Sequence, residues 1–202
     1  MPDNEPFRTL LLAILVVVFP AMFYHRLRSR TPERLDRRQE GLVILVTLRL
    51  IGVVTLVALT LYLVNPARLA WAAAPFPAWL RWAGIAAVAL GGVTIIWTVR
   101  TLGPNLTDTV VTRQHHTLVV AGPYRWVRHP FYLSIALLFG GFGLGAANWL
   151  LLAGGVLAVT LLVLRTDREE ERLVARFGEA YTDYMRHTGR FVPWRRAAGP
   201  RA

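Results

Sequence analysis

The sequence predicts an all-α integral membrane protein with about five membrane-spanning helices. Three observations predict it. Of its 202 residues 54% are hydrophobic, with a mean hydropathy of +0.42, too apolar for an ordinary soluble domain of this length. The apolar residues gather in runs near the length of about 20 that a bilayer-crossing helix needs. Most of the charged residues lie between those runs.

Taken in order, the first span runs roughly over 7–24 and the second over 41–64. The third covers about 79–99, and the fourth and fifth form a hairpin over about 131–146 and 148–164. Gly145-Ala146-Ala147-Asn148 reads as the tight turn between the last two. The fourth span is short and rich in glycine (Gly140, Gly141, Gly143, Gly145), a composition that lets helices approach closely in lipid. The first span is preceded by acidic residues and followed by no small-residue cleavage site, so it reads as an anchor rather than a removed signal. Residues 1–78 read as an N-terminal helix pair with its loops, and 79–202 as the working unit. No internal repeat is visible.

All 23 basic residues are arginine, and the net charge is +11. That charge does not indicate nucleic acid, because the arginines are dispersed among apolar runs and form no continuous basic face. Beside lipid they set topology and meet anionic head groups. Six lie between the first two spans, four within 100–128 and nine from Arg165 onward, whereas the opposite side has Arg8, Arg68 and Arg81. The positive-inside rule then puts the N-terminus outside and the C-terminus in the cytoplasm. The absence of lysine and cysteine suggests a high-GC bacterial gene, hence the inner membrane. Without cysteine, disulfides, thiolate nucleophiles and Cys-type zinc sites are excluded. Arg49, inside the second span, either snorkels or meets an anionic group.

The segment 116–132 (HTLVVAGPYRWVRHPFY) is polar, turn-rich and aromatic, yet it sits at a membrane boundary. Packing alone gives no reason for that composition. Proline favours the first turn of a helix and the residue before it is extended, so His129 should occupy the N-cap of the fourth span. The backbone N–H groups there favour an anion. Gly122-Pro123 is a turn that aims Tyr124, and 117–120 is a short β-prone run. His115 and His116 lack a third ligand at a recognisable spacing, so no metal site is expected. A second constellation, RTDREEER, follows the fifth span and should continue it as a helix, with Arg165 and Glu169 on one face. It leaves the membrane on the same side as His129. The third, 176–184, fits a helix end, a break at Gly178 and a short amphipathic helix; 191–194 reads as a lid or interfacial anchor.

Together these blocks resemble the isoprenylcysteine carboxyl methyltransferase family, which is related to phospholipid N-methyltransferases. The pieces are Leu102-Gly103-Pro104-Asn105, then His116 to Tyr132, then Arg165 with Glu169, Glu170 and Leu173, then Phe177-Gly178 with Tyr181 and Tyr184. The resemblance covers about 80–194. Ser134, where the family usually has glycine, and Arg168 beside the acid pair depart from it.

The resemblance implies S-adenosyl-L-methionine as methyl donor, held in a cytosolic pocket formed by the last helical hairpin and the C-terminal helices. It implies cofactor contacts at His116, Thr117, Leu118, Val119, Tyr124, His129, Pro130, Phe131, Tyr132 and Glu170. Arg165 and Glu169 would face the substrate and the reacting methyl. A carboxylate acceptor needs no base and could be held by Arg165, whereas an amine or phenol would give Glu169 its proton. The expected partners are the bilayer and a lipidic or amphiphilic small molecule, with no nucleic acid and no obligate protein partner. Two other readings stay open: an NADPH-dependent membrane reductase of the sterol-reductase type, and a non-enzymatic helical binding protein.

Overall fold

The computed structural model describes residues 4–29, 42–105 and 117–193. Among these the protein is all-α, with no strand. The helices are α1 (Glu5–Arg28), α2 (Leu42–Val64), α3 (Ala78–Leu102), α4 (Pro130–Gly145), α5 (Trp149–Phe177) and α6 (Glu179–His187). Short 3-10 turns at Pro66–Ala72, Gly103–Asn105 and Gly122–Arg125 join them.

Four helices, α1, α2, α3 and α5, are long and apolar enough to cross a membrane. The fourth expected span is shorter. With 16 residues, α4 rises about 24 Å, below the roughly 30 Å of a hydrocarbon core. Both its ends have local causes. Pro130 has no N–H to contribute and starts the helix. At the other end Ala147 takes a positive φ of 48°, and Asn148 caps the next helix by accepting a hydrogen bond from the Leu151 N–H at 3.1 Å. The anticipated turn therefore forms where its residues stand.

The helices α1, α3 and α5 are longer than their apolar cores suggest, whereas α2 matches its expected span. Most notably α5 continues as one helix through Arg165-Thr166-Asp167-Arg168-Glu169-Glu170 to Phe177. Gly178, at φ +56°, breaks it from α6, as the sequence predicts.

The bundle is built around α4, which packs along α3 on one side and α5 on the other; α1 lies on α3 and α2 on α5. Glycine makes the α3–α4 contact possible. A Cβ on Gly141 would sit 2.7 Å from the Gly84 carbonyl oxygen, and one on Gly84 would sit 2.5 Å from the Gly145 nitrogen. The backbones touch there, which is how helices gain packing energy in lipid, where burial from water contributes little. A core of Leu11, Ala58, Ile85, Val88, Phe142 and Leu151 draws on all five long helices. At one end Arg81 is buried, its guanidinium 3.8 Å from the Phe7 ring centre while its Nε donates to the Gly145 carbonyl at 3.3 Å.

Candidate functional site

The other end of the α4–α5 hairpin assembles the polar residues. Antiparallel packing brings the start of α4 level with the point where α5 turns from apolar to charged, so the two motif blocks meet. Tyr132, in the first turn of α4, donates a short hydrogen bond to Oε2 of Glu169. His129, one turn earlier, places Nε2 3.1 Å from Oε1 of Glu170. The His129 and Tyr132 rings stack with centres 5.4 Å apart and planes 15° from parallel. Arg165 lies one turn before Glu169, close enough for its charge to act on the Tyr132 hydroxyl.

His129 does hold the N-cap position of α4, but its side chain makes no capping hydrogen bond. The nearby backbone donors are engaged from within. Arg128 N–H reaches the Gly189 carbonyl at 2.8 Å and His129 N–H the Arg190 carbonyl at 3.1 Å. The chain after α6 thus folds back as a clasp over the strip that precedes α4, with Val127 and Gly189 in a parallel bridge.

Glu170 fastens this clasp. It is 3% exposed and binds Arg128 Nε at 2.8 Å, Arg190 Nη2 at 2.5 Å and His129. Burial alone would raise its pKa. The hydrogen bonds from His129, Arg128 and Arg190 outweigh burial and hold the carboxyl down to about 2. Arg128 also donates from Nη1 to the carbonyls of Met185, at 3.2 Å, and Thr188. Tyr184 of α6 donates to the Tyr124 carbonyl at 2.6 Å. Burial raises the Tyr124 phenol pKa, and the neighbouring Glu169 and Tyr184 add to it, so the phenol stays protonated.

The fold thus gathers Tyr124, His129, Tyr132, Arg165, Glu169 and Glu170. Pro130 is buried as the first residue of α4, and Phe131 turns toward the apolar cluster of Val18, Ile95 and Val99. Thr117, Leu118 and Val119 form neither helix nor strand. They are tied instead to the end of α3: Asn105 Nδ2 donates to Thr117 Oγ1 at 2.9 Å, and Thr117 N–H donates to Asn105 Oδ1 at 3.2 Å. His116 lies outside the described residues, as do His115 and Trp194. Reasoning from sequence passed over Asn105, Arg128, Thr188 and Arg190 as site-forming residues. Asn105 and Arg128 stand inside motif blocks and could have been found there. Nothing in the sequence marks Thr188 or Arg190, whose partners are 60 and 20 positions away.

Fold and site together define a helical integral membrane protein with a polar, acid-bearing centre at one membrane face. Residues 82–175 match the model of the isoprenylcysteine carboxyl methyltransferase (ICMT) family. The protein-S-isoprenylcysteine O-methyltransferase of Rattus norvegicus is 31% identical over 121 residues, 57% of this chain and 42% of the relative. The methanethiol S-methyltransferase of Mycobacterium tuberculosis is 38% identical over 71 residues, 35% of this chain and 28% of the relative. The matches thus span less than half the length of these curated relatives. The solved eukaryotic intramembrane Ras methyltransferase ICMT shares the fold, with a TM-score of 0.52 at 21% identity over 91% of this chain and 67% of that one.

Proposed function

We propose that this chain is a membrane methyltransferase that uses S-adenosyl-L-methionine and acts on a lipidic or amphiphilic acceptor. The observation that carries the reading is the junction of the two motif blocks: Tyr132 donates to Glu169 while His129 meets Glu170. The family match over 82–175 and relatives named as methyltransferases support it. They do not favour the reductase alternative. We assign the catalytic part to 79–202 and leave acceptor selection to the first two helices.

The residues present suit a sulfonium nucleotide. Glu169 offers a carboxylate to a cation, and Tyr124, His129 and Tyr132 offer aromatic faces. The strip 117–120 offers backbone groups to a flat ring. His116, Thr117, Leu118, Val119, Tyr124, His129, Pro130, Phe131 and Tyr132 would hold the donor, and Glu170 would position His129. When bound, the donor supplies a methyl group already activated on positive sulfur, so the protein contributes positioning and electrostatics. Arg165 would hold a carboxylate acceptor in line and screen its charge. Glu169, fixed by Tyr132, faces the developing charge. If the acceptor must lose a proton, Glu169 takes it. With Glu170 ionised, His129 donates to it from Nε2.

A carboxylate acceptor is the first reading. A thiol is the second, favoured by the name of the mycobacterial relative. We place the C-terminus in the cytoplasm and the N-terminus outside, in a bacterial inner membrane, on the arginine distribution. The test incubates purified protein with methyl-labelled donor and a membrane lipid extract. Labelled product should form with the unaltered protein and not with Glu169→Gln. Failure to bind the donor in calorimetry, or binding of NADPH in its place, would overturn the reading.

A further inference from the structure

We propose that the open cavity at the C-terminal clasp binds the phosphate of an anionic phospholipid head group. The cavity has a volume of about 440 Å³, and its wall includes Arg128, Arg186, Thr188, Arg190, Phe191 and Val192. A volume of that size falls in the range of small-ligand sites. Two of its arginines, Arg128 and Arg190, are the ones that hold Glu170, and the proposal does not depend on methyl transfer.

Depth is the first argument. The hairpin turn at Ala146-Ala147 fixes the level of both arms. Pro130 at the start of α4 and Leu164 at the end of the apolar run of α5 are equally far from it. The Phe191 ring lies 5.7 Å from that of His129, which immediately precedes Pro130. The cavity therefore opens at the level where apolar helices give way to charge, which is the head-group layer.

Charge is the second. Three guanidinium groups line the cavity. Glu170 binds Arg128 and Arg190, and Asp167 pairs with Arg190 at 2.8 Å. On α6 itself, Asp183 is turned to His187 at 3.6 Å. Among the described residues no carboxylate pairs with Arg186, in the last turn of α6. One positive charge is left in excess, and a phosphodiester carries one negative charge. Guanidinium groups meet phosphate oxygens with paired hydrogen bonds.

The apolar rim is the third argument, and it separates a lipid from a soluble phosphate. Val192 is 73% exposed and stands beside Phe191 at the cavity mouth. A free phosphate has no use for that rim, whereas the glycerol and upper acyl carbons of a lipid would cover it.

The experiment purifies the protein from mixed micelles of phosphatidylglycerol and phosphatidylcholine and counts retained lipid by native mass spectrometry. Wild type should retain phosphatidylglycerol several-fold over phosphatidylcholine. The double variant Arg186→Gln/Val192→Ser should lose that preference, while its thermal midpoint stays at the wild-type value and Arg168→Gln on α5 retains the lipid. Equal retention of the two lipids, or equal phosphatidylglycerol on wild type and double variant, would overturn the proposal. So would displacement of the lipid by millimolar inorganic phosphate, which would assign the cavity to a soluble anion. A double variant with a lowered midpoint is replaced by Arg186→Gln alone, read against the same two outcomes.

Discussion

Glu169 and Glu170 are neighbours in sequence but meet different partners. Successive helix positions point about 100° apart. Glu170 turns inward to Arg128, His129 and Arg190, whereas Glu169 accepts from Tyr132. The proposed roles divide accordingly. Glu169→Gln or Arg165→Ala should lower methyl transfer by about 10²–10³-fold, the usual loss of one preorganised electrostatic group. Donor affinity of Arg165→Ala, measured by calorimetry, should change little. Tyr132→Phe removes the donor to Glu169 and should cost about tenfold in rate. Glu170→Ala should instead destabilise the clasp by about 3–5 kcal/mol, because Arg128 and Arg190 lose their buried carboxylate. Limited proteolysis after α6 would detect it.

The same residue sets a pH dependence. The folded pKa of Glu170, about 2, lies below its ordinary 4.5. Its stabilisation is therefore complete above 4.5 and is lost as the pH falls through the folded value. Trp126 fluorescence, reporting the strip beside the clasp, should be flat from neutral pH down to 4.5 and change between there and 2. In Glu170→Gln that transition should be absent.

At the scale of elements, the crossing of α3 and α4 holds the site in register. Gly141→Ala places a methyl carbon 2.7 Å from the Gly84 carbonyl oxygen. Overpacking of this kind costs about 1–3 kcal/mol. Gly140 is the matched control, since a Cβ there meets nothing within 4 Å. Gly140→Ala should leave the detergent melting midpoint unchanged or raise it slightly, while Gly141→Ala lowers it. Both glycines were legible as a small-residue signal in the sequence. Which of the two faces the neighbouring backbone was not, because helix rotation is set by the partner.

At the scale of the whole molecule, α4 is the element whose crossing decides orientation. At about 24 Å it is short for a hydrocarbon core, and hydrophobic mismatch is met by local thinning or by neighbouring helices. α3 and α5 flank it on both sides. If it crosses, a reporter fused after α6 lies in the cytoplasm and one inserted at 65–77 lies outside. A fluorescent C-terminal fusion and an active alkaline phosphatase at 65–77 are the expected outcomes. A dark C-terminal fusion would show that α4 fails to cross.

The sequence alone settled the all-α membrane class, the approximate extent of the helices, the breaks at 146–148 and Gly178, and the end of the hairpin where the motif blocks meet. Each depends on local composition or on backbone chemistry within a few residues, which a linear reading captures. The tertiary structure alone decided that Glu170 is spent on Arg128, His129 and Arg190, that Asn105 anchors Thr117, and that the segment after α6 returns to cover Val127–His129. Those contacts join positions 12 to 62 residues apart. No local pattern encodes such pairings, because they depend on how α4 and α5 rotate against each other when their glycine-lined backbones meet.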